Sequence, residues 1–178
     1  MTIPRFYVPG PWTSDRITFP EKASHHAMRV LRMRNGDEAE VFDGEGRTAR
    51  GRTEFSSEGT VLIAESYPEH GRESPLFITL AQAFVSPDKM EWITEKAVEA
   101  GASRIVFFPA ARSVTKLSGD KLTKRLEKLR ATAVSACEQC GRSRIPEIET
   151  FASAEAMLSG LNADARVILA PSSDPGLA

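Results

Sequence analysis

The stretch from Lys121 to Ile148, KLTKRLEKLRATAVSACEQCGRSRIPEI, constrains the fold more than any other part of the chain. Its apolar positions, Leu122, Leu126, Leu129, Ala133, Ala136, Cys137 and Cys140, recur with the period of a helix that buries one face. Gly141 stops that helix, and Pro146 closes the polar loop behind it. The opposite face carries Lys121, Lys124, Arg125, Lys128 and Arg130, with Arg142 and Arg144 just past the stop. From Arg112 to Arg144, nine basic residues stand against three acidic ones, a local charge of +6 in a chain whose net charge is −1. A basic stripe on a near-neutral protein suits a polyanionic partner, although most charge runs are solvated helix faces.

Around this helix the grammar is that of alternating strands and helices. Leu76 to Phe84 is a nearly unbroken apolar run suited to a strand buried on both faces. A helix from Asp88 to Gly101 follows, with Met90, Ile93, Ala97 and Val98 on its inner side. Ile105 to Pro109 is a second buried strand, Ile145 to Ile148 a third, Ser153 to Leu161 a short helix and Val167 to Ala170 a fourth strand. This half therefore reads as α/β with a mainly parallel sheet. Sites in such sheets gather at the carboxyl ends of the strands, which singles out Gln82 with Lys89 and Arg112 with Ser113. The chain stops just after the fourth strand, at APSSDPGLA, with no core pattern in its last nine residues, so a shortened product is expected.

The first part reads differently. Arg5 to Val8 and Arg16 to Phe19 are short strands, and Ser24 is placed to cap a helix from His25 to Leu31. Arg29, Arg32 and Arg34 cluster before an Asn35-Gly36 turn. Strands at Ala39 to Phe42, Thr48 to Phe55 and Thr60 to Ser66, joined by the turns DGEG and SSEG, describe a small antiparallel barrel or sandwich. The polar segment Tyr67 to Pro75 reads as a linker. The expected division is a β domain over residues 1–70, a linker over 71–75 and an α/β domain over 76–178, an α+β chain of two domains. At 41% hydrophobic and 26% charged, a chain of 178 residues can build such cores. No apolar run approaches the roughly 20 residues that span a bilayer, and the start MTIPRFYVPG lacks the plan of a signal peptide, so a cytoplasmic location is expected.

Several motifs carry no chemistry. Gly44-Glu45-Gly46 begins like a phosphate fingerprint, but no glycine follows at the required spacing, and it reads as a hairpin turn. Cys137 and Cys140 have CxxC spacing near a helix carboxyl end, where the dipole disfavours a thiolate, and no other cysteine completes a zinc site. His25 and His26, adjacent on a helix, point about 100° apart and do not readily share a metal.

The combination of ESPLFITLAQAF, DKMEWITEKAVEAGASRIVFFPAARSV and ACEQCGRSRIPEI resembles the RsmE family, 16S ribosomal RNA uracil-N3 methyltransferases of the SPOUT (trefoil-knot) superfamily. PRFYV and HHAMRVLRMRNGDEAEVFDGEG are similar to the PUA-like RNA-binding β-barrel domain of that family, so the resemblance covers the chain from end to end. It implies S-adenosylmethionine as methyl donor, 16S rRNA in the 30S subunit as substrate, and a homodimer without metal or membrane. The family's glycine-rich knot, with a motif of the type GPEGG, has no counterpart here, so no cofactor-binding residue is carried over, and the α/β domain is expected to be truncated. The alternative is a non-catalytic RNA-binding or dimerising fragment.

Attack by uracil N3 requires loss of the imide proton, hence a cation that stabilises the anion or a carboxylate that takes the proton. Arg112 and Arg142 are candidates for the first task and Glu138 for the second; Arg112-Ser113 also matches the family's R-S after the second strand. The favoured reading of Glu138 is nevertheless an ion pair with Arg142 four residues on, worth only about 0.3–0.5 kcal/mol. RNA contacts are expected from Arg29, Arg32 and Arg34 in the β module, and from Lys89, Lys121, Lys124, Arg125, Lys128 and Arg144 in the α/β half. The ordinary alternative for the three β-module arginines is that they balance Asp37, Glu38, Glu40 and Asp43.

Overall fold

The computed structural model describes residues 3–68, 73–111, 113 and 117–169. Two sheets organise them. The first joins β1 (Arg5–Tyr7), β2 (Arg16–Thr18), β3 (Glu38–Phe42), β4 (Thr48–Ser56) and β5 (Gly59–Ser66) in the order β1-β3-β4-β5-β2. All its pairs are antiparallel except β1 with β3. Strand alternation sorts β4, where Ala49, Gly51 and Thr53 point inward while Arg50, Arg52 and Glu54 stay exposed. Phe6, Val8, Ile17, Phe19, Val41 and Leu62 fill the space beneath, forming the core of the β module.

The entry to α1 (Glu21–His25) differs from the expected cap. Pro20 holds the N-cap position, and α1 runs straight into a π-helical turn (His26–Val30). Ser24 lies inside the helix and buried, where its hydroxyl accepts the Thr60 N–H at 3.3 Å and ties α1 to β5. Ser24 therefore joins two elements instead of starting one.

The second sheet is β6 (Thr79–Ala83), β7 (Arg104–Phe108) and β8 (Glu147–Thr150), all parallel, with β7 in the middle. Helices α2 (Pro87–Glu99) and α3 (Gly119–Cys140) cover one face, burying Met90, Val98, Leu129, Ala133 and Cys137 against Ile105, Phe107 and Ile148. Thr94 is buried on α2 while Ile93 is only half-buried, because the inner face is rotated slightly from the expected one. α3 ends where expected: Gly141 takes φ +86°, and its N–H returns to the Cys137 carbonyl at 3.0 Å. Ser153 caps α4 (Ala154–Gly160) by accepting the Ala156 N–H at 3.1 Å.

Two apolar runs depart from expectation. Leu76 and Phe77 are 67% and 73% exposed and precede β6, which is an edge strand with Ala81 open to solvent. Val167, Ile168 and Leu169 are 84–93% exposed and extend no sheet; Ala170 lies outside the described residues. Apolarity marks a segment that can be buried, but the partner must come from elsewhere in the fold.

The modules meet along β1, β3 and the end of α3. Phe42 of β3 belongs to the core of the α/β module, with Tyr7 packed beside it. The DGEG hairpin turn between β3 and β4, as expected, is a turn, and the Gly44 carbonyl accepts the Ile145 N–H at 3.0 Å. A side chain at Gly44, where φ is +86°, would begin 2.9 Å from Ile145 and 3.0 Å from Tyr7, so glycine permits the close approach.

Candidate nucleic-acid interface

α3 separates what the sequence grouped together. The helix begins beyond the carboxyl end of β7 and finishes at the amino end of β8, and its 22 residues span about 33 Å. Glu138, Arg142 and Arg144 therefore sit at the amino ends of the strands, whereas Ala111 and Ser113 sit at the carboxyl end of β7. Arg112 itself lies outside the described residues.

Arg142 is buried, and its guanidinium is engaged. Nε and Nη2 donate to Glu73 Oε2 at 3.0 and 2.8 Å, and Nη1 donates to the carbonyls of Val98 and Ala102 at 3.0 and 2.8 Å. The other Glu73 oxygen accepts the N–H groups of Ser143 and Arg144 at 3.0 and 2.9 Å. Burial pushes the Glu73 carboxyl up, but the bonds from Arg142 and from these backbone N–H groups outweigh it and hold it below its usual value. By sequence Glu73 lies in the polar linker and opens the stretch ESPLFITLAQAF, yet in the structure it clamps the α3–β8 loop across 69 positions of sequence. No local pattern marks its partner, which lies 69 positions away in the sequence. With four of its five guanidinium N–H groups bound to Glu73 and two carbonyls, Arg142 is placed as a buried structural cation, which argues against the expected role of stabilising a reacting anion.

Glu138 does not pair with Arg142 either. Its Oε1 accepts the Tyr7 N–H at 3.0 Å, at the seam between modules. Burial pushes its carboxyl above the usual value, and the Tyr7 bond only partly offsets that. Nearby, Arg5 donates to Glu40 through Nε at 2.6 Å and to the carbonyls of Cys137 and Arg142 through Nη1 at 2.9 and 3.3 Å, with its Cζ 4.9 Å from the Phe42 ring centre. A cation at the end of α3 also meets the negative end of the helix dipole. Glu138 and Arg5 thus bridge the two modules, while the Arg142 side chain holds the end of α3 to Glu73 and the α2–β7 turn.

Cys137 is buried, and desolvation pushes its thiol up to about 12, which removes it from thiolate chemistry at neutral pH. No group of three or more metal-ligating side chains exists among the described residues.

The cations divide into paired and free. Arg125 and Lys128 turn to Glu91 on α2 at 2.8 and 3.6 Å, an interhelical bridge that the basic stripe did not announce. Lys89, Lys121 and Lys124 are exposed without an ion-pair partner among the described residues, at the sheet's carboxyl end. Arg144 is exposed with its guanidinium against Gly46, where a Cβ would lie 3.1 Å away. It borders a cleft of about 570 Å³ that also presents Glu45, Glu73 and Glu147, a poor lining for a polyanion.

In the β module, the acids expected to balance Arg29, Arg32 and Arg34 are used elsewhere. Glu40 bonds Arg5 and Arg50, Glu38 bonds Arg52, and Asp43 accepts the N–H groups of Glu45 and Arg47. Asp37 accepts the Arg34 backbone N–H at 2.7 Å and leaves the guanidinium alone. All three arginine side chains are exposed, with no ion-pair partner among the described residues.

At the carboxyl ends of β6 and β7, polar groups bond one another. The Ser113 hydroxyl donates to the Phe84 carbonyl at 3.1 Å and accepts the Ala110 N–H at 3.0 Å, while the Gln82 amide donates to the Ala83 carbonyl at 3.0 Å.

Comparison with known proteins gives this arrangement its family. Residues 72–178 match the RNA methyltransferase domain, and residues 19–64 match the RNA methyltransferase PUA domain. Ribosomal RNA small subunit methyltransferase E of Bacillus subtilis is 34% identical over 126 residues, 70% of this chain and 49% of that protein. The protein of the same name from Mycobacterium bovis is 35% identical over 128 residues, 70% of this chain and 47% of that one. The chain thus spans about half the length of these relatives. A Legionella pneumophila methyltransferase structure with bound SAM superposes with a TM-score of 0.90 at 28% identity, over 97% of this chain and 72% of that one. The Neisseria gonorrhoeae ribosomal RNA small subunit methyltransferase E bound to S-adenosyl methionine gives 0.75 at 30% identity, over 84% and 63%. With a PUA-like module fixed to a parallel α/β module and matches to both, the chain belongs to the RNA methyltransferase family that includes ribosomal RNA small subunit methyltransferase E.

Proposed function

We propose that this protein serves methylation of N3 of one uridine in 16S ribosomal RNA, within the small ribosomal subunit, with S-adenosylmethionine as methyl donor. The likeness of both modules, in one continuous chain, to proteins named for methylation of small-subunit rRNA carries the reading. The three unpaired arginines of the PUA-like module support an RNA partner. A second copy and a cytoplasmic setting belong to the same proposal. Exposed Leu76, Phe77 and Trp92 supply apolar surface for such a copy, and no helix among the described residues is long and apolar enough to cross a membrane.

S-adenosylmethionine supplies an electrophilic methyl group when bound. The described residues do not fit it by themselves, because Gln82 and Ser113 at the strand ends bond backbone carbonyls, and the buried polar atoms without a hydrogen bond lie on Arg5, on Thr60 and on Arg104 and Glu149, which pair with each other. The chain's own groups divide the remaining work. Arg112 is proposed to stabilise the anion that forms as the uracil imide proton leaves. Lys89, Lys121 and Lys124 hold phosphates at that end of the sheet, and Arg29, Arg32 and Arg34 hold them on the PUA-like module. Glu138 and Arg5 hold the two modules together at their seam, and the Glu73–Arg142 clamp fixes the α3–β8 loop beside it.

The test of the activity is nucleoside mass spectrometry of 16S rRNA from cells lacking the gene. One N3-methyluridine is expected to disappear and to return with the wild-type gene; full retention of the nucleoside would end this reading. The RNA arm has its own prediction: Arg32→Glu with Arg34→Glu is expected to weaken binding to 30S subunits and to flatten the salt dependence by about 0.7 in log–log slope per lost contact. Unchanged affinity and slope would remove the module from RNA binding.

A further inference from the structure

The surface around the three free arginines has features that phosphate binding does not require. The π-helical turn carries Met28, Val30 and, just beyond it, Leu31 at 36%, 60% and 44% exposure, so apolar side chains stand among the cations. Arg32 takes φ +54°, a left-handed conformation that is costly for a residue with a Cβ and persists only where the surroundings impose it. The imposition is visible. Met33 N–H reaches back to the Ala27 carbonyl at 3.0 Å, and the following loop is pinned to β4 by Thr53, whose hydroxyl donates to the carbonyls of Arg34 and Asp37.

The loop so fixed borders a shallow, open pocket of about 390 Å³ lined by Met28, Arg29, Met33, Arg34, Asn35 and Phe55. Asn35 Oδ1 accepts the Phe55 N–H at 2.6 Å, which fixes the amide and leaves its NH₂ group free to donate. A neighbouring groove of about 650 Å³ shares Asn35 and Phe55, but its arginines are neutralised, Arg16 by Glu54 and Arg52 by Glu38 and Glu65. Only the smaller pocket combines apolar walls, a fixed amide donor pair and unpaired guanidinium groups.

We propose that this pocket receives one unstacked nucleobase of the RNA, with Met28, Met33 and Phe55 against its face, the Asn35 amide donating to a base carbonyl, and Arg29 and Arg34 holding the flanking phosphates. The inference rests on the RNA-binding reading above and gives the module a second task, since phosphate contacts fix position while a base pocket fixes register along the strand. An unpaired base is the one polyanion component with a flat apolar face and carbonyl acceptors, so the wall chemistry selects RNA that is single-stranded or looped at this point.

The test is fluorescence anisotropy with a labelled single-stranded oligouridylate of about ten nucleotides and an abasic ribose-phosphate oligomer of the same phosphate number. The base-bearing strand is expected to bind the wild-type protein roughly ten-fold more tightly or better. Met28→Ser should narrow that gap at unchanged salt slope, whereas Arg29→Ala should lower both affinities and the slope while keeping the gap. Equal binding of the two strands by wild type, or a gap indifferent to Met28→Ser, overturns the pocket and leaves the RNA-binding reading standing. Binding of neither strand overturns the pocket, and loss of 30S binding by the wild-type protein as well would overturn the RNA-binding reading.

Discussion

Replacing Arg142 with alanine is expected to lower the unfolding free energy by about 3–5 kcal/mol, because it leaves the Glu73 carboxylate and two backbone carbonyls without their cation. Against a total stability of about 5–15 kcal/mol, the loss is readily seen in a urea titration. Glu73→Gln should destabilise in the same direction by stranding a buried guanidinium, and Arg142→Lys should not rescue, since one ammonium cannot serve a carboxylate and two carbonyls in this fork. A variant of wild-type stability that has lost only turnover would return Arg142 to the reaction. The clamp also has a pH signature. The folded-state value of Glu73 is lowered, so the unfolded chain takes up the proton first, and the stabilisation is present above the ordinary carboxylate value of 4.5 and fades as pH falls through the lower folded value. The Arg142→Ala protein should lack this component of the acid transition.

Gly51→Ala is the second large effect, and it falls on the other module. A Cβ there would lie 1.8 Å from the Ile63 carbonyl oxygen and 2.9 Å from the Ala64 Cα, both backbone atoms that cannot turn aside. The position sits at the register shift of β4 against β5, so relief would require opening the central pair of the sheet. A loss of roughly 3 kcal/mol or more is expected, followed by thermal unfolding, with hydrogen exchange rising first in β4 and β5. Gly36→Ala is the control: φ is +88° but nothing lies within 4 Å, so only the left-handed backbone cost of about 1 kcal/mol applies. Equal melting temperatures for Gly51→Ala and wild type would mean that the strands are not packed this closely.

Together the two variants probe a division of labour. Each module carries free cations, Arg29, Arg32 and Arg34 on the PUA-like one and Lys89, Lys121 and Lys124 at the carboxyl end of the parallel sheet, and the joint sets the distance between the two groups. Arg5, bridging Glu40 and the last carbonyls of α3, lies in that joint, as does Glu138 with its bond to Tyr7. On the proposed rRNA-binding reading such spacing matters, because a site inside folded RNA is located by several contacts at once.

Much of the architecture was legible in the residues themselves. The period of Leu122 to Cys140 placed α3, Gly141 ended it, and the glycine turns at DGEG and SSEG placed β3 to β5. The change of grammar near residue 76 separated a β-rich module from a parallel α/β one, and the resemblance named both. Periodicity and turn chemistry are local, so the sequence by itself determined these elements and their family. Tertiary structure alone decided which charges meet. Arg142 found Glu73 and not Glu138, Arg125 found Glu91, and Ser24 bonded β5 instead of capping α1. It also decided that Leu76, Phe77 and Val167 to Leu169 stand exposed, and that α3 carries Glu138 and Arg142 to the opposite end of the sheet from Ser113. An ion pair depends on distance in space and on the water removed around it, neither of which a linear order of residues contains.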